Sequence, residues 1–297
     1  MPIFTGLSAF PLTPADGDGV VDTDALGLLV DRLARAGVDS VSVLGSTGTY
    51  AYLDRDQRNR AVAAAVEAAS GRLPVVVGVG ALRTNWSLEL AVAAQRAGAS
   101  GLLLAPMSYT QLTDREVRDH FKAVAGATGL PLCIYNNPGT TNFRFSRTLI
   151  AELAAVAGID AVKMPPLDDD AYAEEIAELR GHTPPGFKIG YSGDWCAAPA
   201  LLAGADGWHS VIAGILPEPA LRLTRAGQAS DVLEVARIET AFAPLWSLFK
   251  RHGSLRLIYE IADQLGLGVS DPPQPLQRYG ASECAELEAA LRAIHSL

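Results

Sequence analysis

Among the 297 residues, the stretch Ala157-Gly158-Ile159-Asp160-Ala161-Val162-Lys163-Met164-Pro165-Pro166 could carry covalent chemistry. It reads as a helix-ending glycine, a short apolar strand and a lysine, followed by prolines that stop the strand. Desolvation at a strand end disfavours an ammonium, and the free amine it leaves can trap a carbonyl substrate as a Schiff base. The chain has four lysines: Lys122, Lys163, Lys188 and Lys250. Lys122 and Lys250 fall in polar, helix-like runs and read as solvated. Lys188 has Ile189-Gly190-Tyr191 still to follow on its strand, so it should point away from the end that carries chemistry. A Lys163 that snorkels or pairs with an acid is the competing reading, and the residues of this stretch leave it open.

Other residues could work with that amine. Tyr135 closes the strand Leu132-Cys133-Ile134-Tyr135, and its phenol could move a proton or be a core hydroxyl with a partner of its own. Ser46 and Thr47, in Gly45-Ser46-Thr47-Gly48, could offer hydroxyls and backbone N–H groups to a carboxylate, or form an ordinary turn or N-cap. His209 and Ser210 end a later strand, while Ser192 and Asp194 read as caps of a helix starting at Trp195. The five histidines (His120, His182, His209, His252, His295) are scattered and the strand ends carry almost no carboxylates, so no metal is expected.

The elements that must position these groups repeat. Glycines 37, 71, 98, 129 and 158 are read as helix stops about 30 residues apart, the length of one βα step. Each is followed by a short apolar strand: 75–79, 101–105, 132–135 and 159–163. Strands at 3–10 and 38–44 precede this series, and strands at 187–191 and 207–212 extend it to eight. Continuous apolar strands alternating with helices predict a parallel sheet buried on both faces, here an α/β fold of the (β/α)₈ TIM-barrel type. The alternative, a doubly wound open sheet, lacks its fingerprint, because Gly78-Val79-Gly80-Ala81-Leu82-Arg83 has no third glycine. Helical patterns at 217–226, 231–251, 255–265 and 282–294 follow without strands. The expected organisation is a barrel over 1–215 with C-terminal helices over 216–297 packed on it.

Composition narrows the partners. A net charge of −9 with no basic run argues against nucleic acid or anionic membrane as a partner. Cys133, Cys196 and Cys284 show no C-x-x-C spacing, and neither a signal segment nor an 18-residue apolar run occurs. A reduced, cytoplasmic protein is expected.

Taken together, Gly45-Ser46-Thr47-Gly48, Tyr135-Asn136-Asn137-Pro138, the run from Gly158 to Lys163, and Ser192-Gly193-Asp194 resemble, in order and spacing, the dihydrodipicolinate synthase/N-acetylneuraminate lyase family of Schiff-base aldolases. The likeness runs from Phe4 to about Gly214. It implies a lyase that joins or splits pyruvate, or a related 2-oxoacid, and an aldehyde, with no external cofactor. Lys163 would form the imine, Tyr135 would relay protons, and Ser46 and Thr47 would bind the ketoacid carboxylate. Tyr109 looks like the family's tyrosine contributed by a neighbouring subunit, and His209 falls near its strand-eight substrate site. A homotetramer, a dimer of dimers, is implied as well.

The sequence departs from that pattern in three places. Where dihydrodipicolinate synthases carry an arginine for the aldehyde's carboxylate, this chain has Gly139-Thr140-Thr141-Asn142, leaving Thr140 as the substrate-binding candidate without bidentate grip. Thr49-Tyr50 replaces the usual glutamate, and Met164-Pro165-Pro166 follows the lysine. These departures point to a paralogue acting on another 2-oxoacid adduct, such as a sugar-acid-derived 2-keto-3-deoxy compound. Dihydrodipicolinate synthase proper, a dehydratase using the same imine and a non-catalytic organic-acid-binding barrel are the alternatives.

Overall fold

The computed structural model describes residues 3–167 and 171–297, the side chains of 281–283 apart; Met1 and Pro2, part of the amino-terminal reading, lie outside them. Eight parallel strands close into a barrel: β1 (Gly6–Ala9), β2 (Ser40–Val43), β3 (Val75–Gly78), β4 (Gly101–Leu104), β5 (Leu132–Tyr135), β6 (Ile159–Met164), β7 (Lys188–Tyr191) and β8 (Gly207–Ser210). The ring is completed where β1 pairs with β8, Ser8 opposite His209. Strands this short, buried except at Asp160 and partly at Lys188, pack side chains on both faces. Val77, Leu102 and Ile134 pack outward under the helices, whereas Phe10, Val76, Leu103, Cys133, Tyr135 and Ala161 fill the lumen as a separate core.

The ring helices are α1 (Thr23–Ala36), α2 (Arg55–Ala69), α3 (Thr84–Ala97), α4 (Asp114–Ala125), a one-turn α5 (Pro138–Thr141), α6 (Arg147–Ala154), α7 (Tyr172–His182), α8 (Ala197–Leu202) and α9 (Pro217–Gln228). Local signals set their starts. Asp22 accepts from Ala25 N at 2.9 Å to open α1, and Thr113 with Glu116 forms a reciprocal capping box on α4. Gly37 and Gly98 end α1 and α3 in the left-handed conformation that glycine tolerates best. Gly129 does not act this way: α4 stops at Ala125, and the Gly129 N–H donates instead to Gln95 Oε1 at 2.8 Å.

Beyond the ring lie α10 (Val232–His252), α11 (Ser254–Gln264) and α12 (Ala281–His295). Phe242 and Trp246 stack at 4.5 Å inside α10, which rests on α8, α9 and α12. Because α9 packs on β1, α1 and α8, as the last helix of a closed ring must, we propose that the barrel ends after Gln228 and that only α10–α12 form the extension. Among the described residues no helix is long and apolar enough to cross a membrane.

Candidate active site

The carboxyl ends of the strands bring the singled-out residues into one place. Lys163 and Tyr135 are paired neighbours on β6 and β5, so their side chains leave the sheet side by side into the lumen. Lys163 is 3 % exposed, and its Nζ lies 4.0 Å from the centroid of the Tyr135 ring and 4.3 Å from that of Phe10. Among the described residues no carboxylate is within ion-pair distance of it. Aromatic faces shield the amine from water, with no acid beside it among the described residues.

Tyr135 is held by a second set of contacts. Its hydroxyl meets Ser46 Oγ at 3.2 Å and accepts from Asn137 Nδ2 at 2.9 Å. Burial pushes the phenol up, but the Lys163 charge and hydrogen bonds from Ser46, Lys163 and Asn137 together outweigh it and leave the phenol below the ordinary tyrosine value. Ser46 is therefore no helix cap; that task falls to Asp54, which accepts from Gln57 N at 2.8 Å.

The hydroxyl turn is built under strain. Leu44 and Thr49 stand on either side of Gly45-Ser46-Thr47-Gly48 at φ 57° and 51°, left-handed values that cost of order 1–3 kcal/mol each in non-glycine residues. Thr47 is buried in that turn. A buried Arg58 supports it from α2, donating to Gly80 O at 3.0 Å and Gly78 O at 2.8 Å and lying 5.3 Å from the Tyr50 ring. Burial pushes the Arg58 guanidinium down to about 10 and the Tyr50 phenol up to about 12.

The other predicted residues fall at different distances from this centre. His209 is buried, its ring edge-on to Phe10 at 5.9 Å. Burial and the Lys163 charge hold the imidazole well below its usual value. Thr140 is exposed on α5, its Oγ1 3.5 Å from Asn137 O, and Tyr109 is 97 % exposed on the loop after β4. Neither reaches Lys163 within one chain. Lys188 lies at the opposite end of the barrel, 3.6 Å from Asp206. Among the described residues no group of three His, Cys, Asp or Glu could hold a metal.

Asp194 corrects the sequence reading. Rather than capping a helix, its carboxylate accepts from Trp208 Nε1 at 3.0 Å, Val211 N at 3.1 Å and Ile212 N at 2.7 Å, tying the loop after β7 to the end of β8. Ser192 likewise turns back, donating from Oγ to Met164 O at 3.0 Å. Asn137 is the residue the sequence reading named without giving it a role. Its position two residues after Tyr135 was the available signal, since a strand returns to the same face at every second residue.

The whole chain fits a known pattern. The model of the Dihydrodipicolinate synthetase family matches residues 3–294. The chain is 36% identical over 235 residues to 4-hydroxy-tetrahydrodipicolinate synthase of Salinibacter ruber, covering 77% of this chain and 75% of that protein. It is 31% identical to the protein of that name from Laribacter hongkongensis, across 98% of this chain and 99% of the other. Among solved structures, dihydrodipicolinate synthase from Agrobacterium tumefaciens superposes with a TM-score of 0.97 at 52% identity, covering 98% of both chains. The chain belongs to the dihydrodipicolinate synthetase family. That is a family of class I pyruvate-dependent aldolases, and the enzyme is a lyase.

Proposed function

We propose that the enzyme makes or splits a carbon–carbon bond between pyruvate, or a related 2-oxoacid, and an aldehyde through an imine on Lys163. The observation that carries this is the Lys163 Nζ held 4.0 Å from the Tyr135 ring with no carboxylate partner among the described residues. In the proposed sequence the Lys163 amine attacks C2 of the ketoacid. Tyr135 then gives a proton to the carbinolamine hydroxyl, which leaves as water, and the iminium takes up the electrons of the bond broken at C3. Ser46 orients the phenol and, with Thr47 and the turn's N–H groups, receives the substrate carboxylate.

For the aldehyde, an uncharged Thr140 on an exposed turn favours a partner without a carboxylate at that point, such as a sugar-acid-derived aldehyde. The names of the relatives favour the second reading, 4-hydroxy-tetrahydrodipicolinate synthase itself. Tyr109, so exposed in one chain, is suited to complete a neighbour's site in a homotetramer, and we place the enzyme in the cytoplasm.

Borohydride reduction with pyruvate, followed by peptide mapping, tests the proposal. Label at Lys163 is expected, and label at Lys188, or none, overturns it. Turnover of pyruvate with a carboxylate-bearing aldehyde, set against cleavage of a panel of 2-keto-3-deoxy acids, then separates the two readings.

A further inference from the structure

His209 is a histidine on the last strand of the barrel with its ring inside the lumen. It is 4 % exposed, and neither Nδ1 nor Nε2 has a hydrogen-bond partner among the described residues. Each nitrogen buried without a partner destabilises the fold, and here there are two. An apolar residue of similar size would fill the same volume without that penalty, so the imidazole calls for a polar partner that arrives with the substrate.

The position of the ring says which part of the substrate it meets. Gly190 is paired with Lys163 across β6 and β7. A Cβ on Gly190 would lie 2.6 Å from His209 Nε2 and 2.8 Å from its Cδ2, so the imidazole from β8 occupies the space beside the lysine that a β7 side chain would take. Phe10 neighbours both groups, its ring centroid 4.3 Å from Lys163 Nζ and 5.9 Å from the centroid of the imidazole. Around the ring, β5 with Tyr135 flanks Lys163 on one side and β7 and β8 with His209 lie on the other, while β2, four strands from β6, brings the Ser46 turn across the lumen to the Tyr135 hydroxyl. An iminium carbon is planar. With nitrogen on Lys163 and the carboxylate toward Ser46 and Thr47, its third substituent, C3, leaves toward one flank; the Tyr135 ring fills the β5 flank, and the β7 flank, where Gly190 has no side chain, opens onto His209.

We propose that His209 is a catalytic base of this enzyme, taking the proton from C3 of the Lys163-bound iminium and returning it there in the reverse direction. The inference rests on the imine reading above. In the step, a C3–H bond breaks and its proton goes to an imidazole nitrogen. The C–H electrons form the C2–C3 double bond and the C2–N pair returns to nitrogen, giving a neutral enamine and an imidazolium. In the cleavage direction the C3–C4 bond breaks as the C4 hydroxyl proton passes to the neutral imidazole, the aldehyde leaves, and the imidazolium so formed then protonates C3 of the enamine. A neutral imidazole suffices because the positive iminium already acidifies C3, and burial beside Lys163 keeps the ring neutral between turnovers.

Proton exchange at C3 can be read without an aldehyde. Pyruvate in D₂O with the wild-type enzyme is expected to gain deuterium in its methyl group, followed by NMR, and to give borohydride label at Lys163. His209→Leu and His209→Gln should keep the label while deuterium wash-in falls by about 100-fold or more. In His209→Ala, added imidazole should restore part of the wash-in, which a purely structural role would not produce. Wash-in within roughly threefold of wild type in both labelled variants overturns the assignment. Loss of label in both also overturns it, by moving His209 to imine formation. Absence of label in the wild type sinks the imine reading itself and this proposal with it.

Discussion

The two ends of the barrel treat their lysines in opposite ways. At the amino-terminal end, Asp39 accepts from Leu7 N at 2.7 Å and takes both Arg225 guanidinium nitrogens, at 2.9 and 2.8 Å. Asp206 accepts from Ile189 N at 3.0 Å and Arg180 at 3.3 Å and faces Lys188 at 3.6 Å. At the carboxyl end, among the described residues, Lys163 has no acid and neither the hydroxyl of Thr13 nor either nitrogen of His209 has a hydrogen-bond partner. Removing one member of a paired set costs stability, whereas a group left unpaired at the mouth gives the fold nothing and has to be explained by what binds there. Two lysines one strand apart, Lys163 and Lys188, therefore hold opposite assignments.

Exchanging the loss between these lysines is the strongest way to break the comparison. Lys163→Ala should abolish aldol turnover, while Lys188→Ala should leave it within about twofold of wild type and lower stability by at most about 1 kcal/mol, its ion pair being partly solvated. Steady-state turnover beside thermal unfolding of both variants checks this, and equal losses of activity would end the distinction. A smaller effect is expected at Tyr135. Tyr135→Phe keeps the ring over the amine but removes the proton carrier, so kcat should fall by about 10²–10⁴-fold. The borohydride label should still appear at Lys163, more slowly. A kcat close to wild type would give the relay to another hydroxyl.

How much of this was legible in the chain follows from where each residue's partners lie. Leu132–Tyr135 was read to the residue, because Pro131 and Pro138 stand close outside an apolar run. Lys163 stood out through local signals as well, a strand end followed by two prolines. Asp194 was misread because its partners are supplied by residues 208, 211 and 212, beyond an intervening helix, and no local pattern announces them. Arg58 was lost in a polar run, although it shares a helical face with Ala61, Val62 and Ala65, spacing that marks it as inward. Whether the barrel ends at residue 215 or, as proposed above, after Gln228 turns on the contact of α9 with β1, which no local pattern announces.

Asp194 supplies the smallest effect and the sharpest contrast, since it is a buried charge at the mouth that is fully partnered. Burial pushes its carboxyl from 3.8 up to about 6, against the hydrogen bonds from Ile212, Val211, Trp208 and Ser210 that pull it down. A carboxyl raised in the folded state favours the fold when protonated. Its contribution is complete below about pH 4 and is lost as pH rises through about 6, a change of about 3 kcal/mol for a shift of this size. Asp194→Asn removes the titration and turns an amide donor toward Ile212 N–H, so the variant should be the less stable protein over this range. The gap between the two proteins is expected to be widest near pH 4 and to narrow by up to about 3 kcal/mol toward pH 7, read from urea midpoints along that series. Because Asp194 fixes the end of β8 beside His209, deuterium wash-in by the variant should fall as well, with the Lys163 label retained. A gap that stays level with pH would mean that Asp194 ionises as readily in the fold as in the open chain, and the mouth would then tolerate charge as easily as the foot does.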